Sequence, residues 1–227
     1  MVFNMLLFEE GLTDTNLLWN KDSNESDLAR FLRTDGVWSI TGPIHRKVAL
    51  ERLGGFDETI PFWQDVELHI RAICKGANYI KKLNERPDCY NRRHQLASIS
   101  QQGFNTIEKQ RAKIEIYKKL VVYAEKYHCL NEQVRTSIVS YLFACARQLI
   151  VNHQELTEAV EIWQYASQKG QVNKGIYIVG KLHLISLSQY QLQNKKNRVY
   201  LFSAKLLSFL LPKRYKLIPM TIGQVKY

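Results

Sequence analysis

The second half of this chain is a succession of long amphipathic helices, and this pattern constrains the fold more than any other feature of the sequence. From Thr106 onward apolar residues recur every three or four positions, which predicts five helices. They cover residues 107–127, 133–151, 157–168, 176–192 and 199–211. The first half differs, because its apolar runs are short and are separated by polar and glycine-containing turns. We therefore predict two domains, residues 1–103 and residues 104–227.

The charge of the chain changes at the same place. Residues 1–103 contain 13 basic and 14 acidic residues, whereas residues 104–227 contain 19 basic and 7 acidic residues. Such a surplus indicates that the second region faces an anionic partner, such as lipid head groups or nucleic acid. We expect no nucleic-acid partner, because the basic residues are spread over helices without a recognisable nucleic-acid-binding motif.

Cysteine spacing and hydropathy exclude several classes of protein. The four cysteines contain no Cys-x-x-Cys pair, which argues against a zinc ribbon or a disulfide scaffold and favours a reducing compartment. The most apolar stretches, 138–151 and 199–211, are shorter than a membrane span and carry Arg147 and Lys205. Glu9 and Glu10 interrupt any signal-peptide pattern at the N-terminus. We therefore expect a cytoplasmic protein.

Short strands and short helices are predicted for the first half. The strands cover residues 2–8, 38–41, 79–83 and 89–91, and the helices cover 26–32, 46–53 and 64–75. Glycines follow the last two helices, at Gly54-Gly55 and Gly76, where a helix commonly ends. The strand at 2–8 has no preceding strand in this chain with which to pair.

Four motifs follow one another between residues 38 and 100. They are Trp38-x-Ile40-Thr41-Gly42-Pro43-Ile44-x-Arg46-Lys47, Gly54-Gly55-Phe56-Asp57-Glu58, Gln64-Asp65-x-Glu67-Leu68-x-x-Arg71, and Arg92-Arg93-His94 with Ser98-Ile99-Ser100. In this order they resemble the C-terminal half of a family 2 glycosyltransferase with the GT-A fold, over roughly residues 10–115. The resemblance implies an α/β fold class, a partial GT-A core of mixed short strands and helices followed by a mainly α-helical C-terminal region.

The resemblance assigns a catalytic role to Asp65. In inverting enzymes of this family the aspartate at this place is the general base in the transfer of a sugar from a nucleotide-diphosphate donor to an acceptor hydroxyl. Asp65 is predicted in the first turn of a helix, where the helix dipole favours a negative charge. The alternative is that Asp65 only caps the helix. Gln64 departs from the family, which usually has a glutamate at that place.

The resemblance also places substrate-binding residues and a metal ligand in the basic segment. His94 would complete a site for Mg²⁺ or Mn²⁺, and Arg92 and Arg93 would pair with diphosphate oxygens. Ser98 and Ser100 could bond to sugar or phosphate. The alternatives are a surface histidine in a basic loop and serines that cap a loop.

Aromatic and acidic side chains extend the candidate substrate site. Trp38 and Trp63 offer ring faces on which a sugar or base could stack, although large aromatic residues more often pack in a core. In the family Asp57 and Glu58 lie beside the acceptor. Asp57 can instead close the turn after Gly54-Gly55 with its own side chain.

The donor side of such an enzyme is missing from this sequence. It contains no Asp-x-Asp motif, which would hold the metal ion, and no run of alternating strands and helices before Trp38. We therefore expect that the chain alone is inactive and that a separate N-terminal half binds the nucleotide-sugar. The rival interpretation is a non-catalytic remnant that binds a membrane surface or a partner protein.

The C-terminal tail supports a peripheral membrane location. Residues 195–216 place basic clusters on both sides of an apolar helix, which suits an interfacial helix on an anionic membrane. Such a location agrees with a lipid-linked acceptor at the inner face of the membrane. The alternative is a terminal helix that packs on its neighbours, with solvated lysines.

Overall fold

The computed structural model describes residues 1–8, 17–19, 22–83, 85, 87, 89–92, 106–193, 196–216 and 223–224. By its internal contacts the chain forms two compact units. The first comprises Met1–Gln102, Lys119–Leu130 and Pro219–Tyr227, and the second comprises Gly103–Lys118 and Asn131–Ile218. One boundary falls next to Gly103, where the sequence changes from short apolar runs to long amphipathic helices. The other boundaries fall inside the helical region.

The first unit contains a four-stranded sheet and a separate pair of strands. The strands are β1 (Val2–Phe3), β2 (Met5–Phe8), β3 (Leu17–Leu18), β4 (Lys81–Lys82), β5 (Cys89–Arg92) and β6 (Gly223–Gln224). The sheet has the order β5-β2-β3-β6, with β2 parallel to β5 and antiparallel to β3. β1 pairs with β4 in parallel. Residues 2–8 thus form strands as predicted, and their partners come from later in the chain.

Three short helices lie before residue 103 in the described part of the first unit. They are α1 (Asp27–Leu32), α2 (Lys47–Leu53) and α3 (Gln64–Cys74), close to the predicted positions. The Ser26 hydroxyl caps α1 by accepting from the Ala29 amide at 3.4 Å. α2 ends at Gly54, whose φ of +87° lies in the left-handed region that glycine adopts without strain.

The predicted strand at 38–41 is wrong, because the backbone turns at this point. The Gly42 amide donates to the Ser39 carbonyl at 3.2 Å and closes a turn, while the Gly42 carbonyl accepts from the Phe3 amide at 2.9 Å. A Cβ at Gly42 would lie 3.0 Å from the Phe3 carbonyl oxygen. This close approach of two backbones explains the glycine, and the turn it allows ends the extended run.

The second unit is helical, as predicted for the C-terminal region. The helices after the first unit's α3 are α4 (Ile107–Lys126), α5 (Glu132–His153), α6 (Leu156–Lys169), α7 (Lys174–Leu192) and α8 (Arg198–Leu210), followed by a 3-10 turn at Lys213–Tyr215. The part of α4 from Lys119 onward belongs to the first unit. Asparagine side chains cap α5, α7 and α8 by accepting from backbone amides in the first turn. Each end lies within two residues of its predicted position.

α5 is the core helix of the second unit, and it packs against α6 and α7. Trp163 of α6 is fully buried and donates from Nε1 to the Tyr177 carbonyl at 2.9 Å. Gly180 of α7 lies against this indole, where a Cβ would come within 2.5 Å of the ring. In the part of the chain that the structure describes, α5 is long and apolar enough to span a membrane, but 67% of its apolar window is buried inside the protein.

Candidate functional site

Arg71 joins two of the sequence motifs into one structure. On α3 it forms a buried ion pair with Glu67, with Nε 2.6 Å from Oε1 and Nη2 2.8 Å from Oε2. The same guanidinium donates to the Gly55 carbonyl at 2.7 Å and to the Leu53 carbonyl. These carbonyls lie at the end of α2, where helix carbonyls have no partner within their own helix. Arg71 therefore fixes the Gly54–Glu58 turn against the helix that carries Asp65.

The Gly54–Glu58 turn is held by Asp57. Its Oδ1 accepts from the Thr59 amide at 2.9 Å and from the Thr59 hydroxyl at 2.6 Å. The Lys119 ammonium lies 3.5 Å from the other carboxylate oxygen. The bonds from Thr59 lower the pKa of Asp57, and Lys119 lowers it further. Asp57 thus closes the turn with its own side chain, and Glu58 beside it is exposed.

The start of α3 combines a strained residue with an unpaired carboxylate. Trp63 precedes the helix in a left-handed conformation, with φ +64° and ψ 24°, which is uncommon for a bulky residue. The side-chain amide of Gln64 donates from Nε2 to the Ile60 carbonyl at 3.3 Å. An ionised glutamate could not make this bond, so the side-chain amide of Gln64 has a structural role. Asp65 is half-buried and makes no hydrogen bond or ion pair within the described part of the chain.

Trp38 packs in the core of the first unit. Its indole is 6% exposed and lies edge-on to Phe31, His69 and Tyr79, with ring centroids 4.8 to 5.6 Å apart. An indole so enclosed leaves little surface for a sugar ring, so we place Trp38 among the packing residues. Trp63, in contrast, is half-buried, and its ring contacts Phe62 with centroids 6.2 Å apart.

The basic segment is described only in part. Arg92 ends β5, is exposed and lies over the Phe8 ring, 5.3 Å from its centroid. No hydrogen bond or ion pair in the described part of the chain joins Arg92 to Asp57 or Asp65. The other predicted residues of this segment lie outside the described residues: Arg93, His94, Ser98 and Ser100.

A metal centre would need three or more clustered His, Cys, Asp or Glu side chains. Among the residues that the structure describes, no such group occurs. Two carboxylates of the motifs already have other partners, since Glu67 binds Arg71 and Asp57 binds Thr59 and Lys119. The described residues therefore do not fit a site for Mg²⁺ or Mn²⁺.

Sequence reasoning missed two contributions to this site. It included Glu67 and Arg71 in a motif without assigning them a role, although their i, i+4 spacing is the one at which opposite charges on a helix can pair. It also missed Lys119, which reaches Asp57 and Thr59 from α4. No local signal could have found Lys119, because the contact spans about sixty residues of sequence.

Comparison with known proteins assigns no family to this chain. No protein-family model, no curated protein and no solved structure matches the chain.

Replacing Arg71 should lower the stability of the first unit. Arg71→Met leaves the Glu67 carboxylate, which is 0% exposed, without its partner, and we expect a loss of about 3 to 5 kcal/mol in the free energy of unfolding. The control is Lys47→Met, which breaks the exposed i, i+4 pair with Glu51 and should cost about 0.5 kcal/mol or less. Urea denaturation followed by circular dichroism measures both, and equal losses would contradict the anchoring role of Arg71.

His69 should make the protein less stable in acid. Burial, and then the nearby His45, lowers the pKa of His69 from 6.5 to about 3. The unfolded chain therefore binds a proton that the folded one excludes, so this share of stability is complete above pH 6.5 and is lost as the pH falls towards 3. Between these two pKa values, we expect His69 to contribute up to about 1.4 kcal/mol per pH unit to the slope of the unfolding free energy against pH. Urea denaturation of wild type and His69→Phe at about pH 7 and pH 5 tests it; an unchanged slope in the variant would contradict the assignment.

Proposed function

We propose that this chain supplies the acceptor side of an inverting glycosyltransferase. Its reaction would transfer a sugar from a nucleotide-diphosphate donor to a hydroxyl of a saccharide or lipid-linked acceptor. The observation that carries this proposal is the contrast among three neighbouring carboxylates. Asp57 and Glu67 are engaged by internal partners. Asp65, at the start of α3, is half-exposed and has no hydrogen bond or ion pair to any residue that the structure describes.

Asp65 acts as the general base in this scheme. Its carboxylate accepts the proton of the acceptor hydroxyl as that oxygen attacks the anomeric carbon of the donor sugar. The bond from the anomeric carbon to the diphosphate breaks on the opposite face, and the diphosphate leaves with the electron pair. Configuration at the anomeric carbon is therefore inverted. Asp65 lies in the first turn of α3.

The surroundings of Asp65 support a positioned base. Trp63 holds a left-handed backbone directly before Gln64 and Asp65, and strain of this kind persists where neighbouring structure enforces it, often at functional sites. Arg71, two turns further along α3, anchors the helix to the Gly54–Glu58 turn. A carboxylate on an anchored helix keeps a fixed direction, which proton transfer requires. Glu58 and the ring of Trp63 remain as candidate acceptor contacts.

The donor site lies outside this arrangement. The sequence has no Asp-x-Asp motif, and the described residues do not fit a metal site. We propose that a nucleotide-binding half outside this sequence binds the donor, and that Arg92, Arg93 and His94 contribute to the binding of its diphosphate. The reaction would take place in the cytoplasm, at the inner face of the membrane where the acceptor is lipid-linked.

A non-catalytic remnant is the second candidate function. The glutamine at position 64 and the missing Asp-x-Asp motif favour it, since both remove acidic groups that the family carries. The intact Asp65 and its anchored helix favour the enzyme. The two functions differ in one measurable property, namely whether any turnover depends on Asp65.

Reconstitution of turnover separates the two functions. The full chain is incubated with UDP-, GDP- and dTDP-sugars, alone and with a lysate of source cells that lack its gene, and released nucleoside diphosphate is measured. We expect no turnover with the chain alone and turnover once the lysate supplies the donor-binding half. Asp65→Asn should lower that turnover by about 100-fold or more, because general-base catalysis contributes on that order.

The matched control is Asp22→Asn, the same change at an exposed carboxylate that pairs with Lys81. It should leave the turnover unchanged. Turnover that survives Asp65→Asn would overturn the assignment of the base. No turnover with any donor in the presence of lysate would overturn the enzyme and favour the remnant.

A further inference from the structure

Helix α8 presents an apolar face to solvent. Val199 is 72% exposed, Phe202 is 70% exposed and Phe209 is 79% exposed, and Leu206 and Leu210 are exposed as well. At about 100° per residue, these five side chains fall within roughly 100° of the helix circumference. They form one continuous stripe, which we call the α8 apolar face. A stripe with two exposed phenylalanines is unusual on a protein surface that meets only water.

The opposite side of α8 is packed, so the exposure does not come from a detached helix. Ala204 is buried, and its carbonyl oxygen lies 2.8 Å from Nδ1 of the buried His183 on α7. Leu211 and Tyr215, just after the helix, are also buried, and the 3-10 turn that contains Tyr215 packs against α5. Helix α8 is thus seated on its neighbours with a fixed rotation, and this rotation turns the α8 apolar face outward.

The segment that carries this face has charges of one sign, although Arg214 just after α8 pairs with Glu132 of α5 at 2.8 Å. Residues 162–227 contain 11 Lys and Arg and no Asp or Glu, whereas residues 1–161 contain 21 of each kind. The whole net charge of +11 therefore resides in the segment that includes α7 and α8. Exposed cations precede α8, lie along it and follow it: Lys196, Arg198, Lys205, Lys213 and Lys216.

This charge pattern decides what covers the α8 apolar face. A second copy of the chain would bring the same cations to the contact, and the two surfaces would repel each other. An anionic bilayer attracts them, and the long Lys and Arg side chains can reach head groups while Phe and Leu enter the acyl boundary. We infer that α8 is an interfacial helix that binds this chain to an anionic membrane surface. The inference does not depend on Asp65 or on the transferase reaction.

Vesicle co-sedimentation of the full chain tests the inference. The probes are vesicles of pure phosphatidylcholine and vesicles of phosphatidylcholine and phosphatidylglycerol in equal amounts. We expect binding to the anionic vesicles that weakens in high salt, and little binding to the neutral ones. Phe202→Ser with Phe209→Ser should reduce binding to the anionic vesicles by about tenfold or more, because both side chains lose their acyl contact.

The matched control is Val122→Ser with Val151→Ser, which removes two exposed apolar side chains from other helices. It should bind like wild type, and circular dichroism should show that both double variants remain folded. Absence of wild-type binding would overturn the inference. Binding that survives Phe202→Ser with Phe209→Ser would also overturn it, since cations alone would then explain the adsorption. Concentration-dependent self-association lost in the same variant, without vesicle binding, would identify the face as a dimer contact and overturn it as well.

Discussion

The buried ion pair between Glu67 and Arg71 is the interaction on which the first unit depends. Two charges taken out of water are unfavourable unless their hydrogen-bonding groups are satisfied. Here Arg71 binds both carboxylate oxygens and two backbone carbonyls, so the pair also caps the end of α2. The Gly54–Glu58 turn and α3 therefore take one relative position, and Asp65 inherits its position from that arrangement.

Elements with local causes could be predicted from the sequence, and those set by distant contacts could not. The helical half was predictable because its apolar periodicity and its asparagine caps are local properties. The strand expected at 38–41 does not form, because Gly42 meets the backbone of Phe3 and Trp38 turns into an aromatic cluster with residues of α1 and α3. The partners of β2 likewise come from segments ten to twelve and more than eighty residues away.

The candidate site divides in the same way. The motif spacing singled out Asp65 and the Gly54–Glu58 turn, and the structure describes both. The closure of the turn by Asp57 was foreseen, since aspartate commonly bonds to a backbone amide two residues on. The contact from Lys119 depends on how α4 packs within the first unit, which no local pattern reports. The surplus of positive charge lies in residues 162–227, the segment that contains α8 and its exposed apolar face.

The most direct test of whether the start of α3 forms an acceptor site is to map acceptor binding by NMR. The isotope-labelled chain would be titrated with lactose, cellobiose and N-acetyllactosamine, and separately with UDP. We expect that at least one saccharide shifts the amides of Trp63, Gln64 and Asp65 together with those of the Gly54–Glu58 turn, and that UDP leaves them unchanged. Saccharide shifts confined to other parts of the chain, with the start of α3 unaffected, would contradict it.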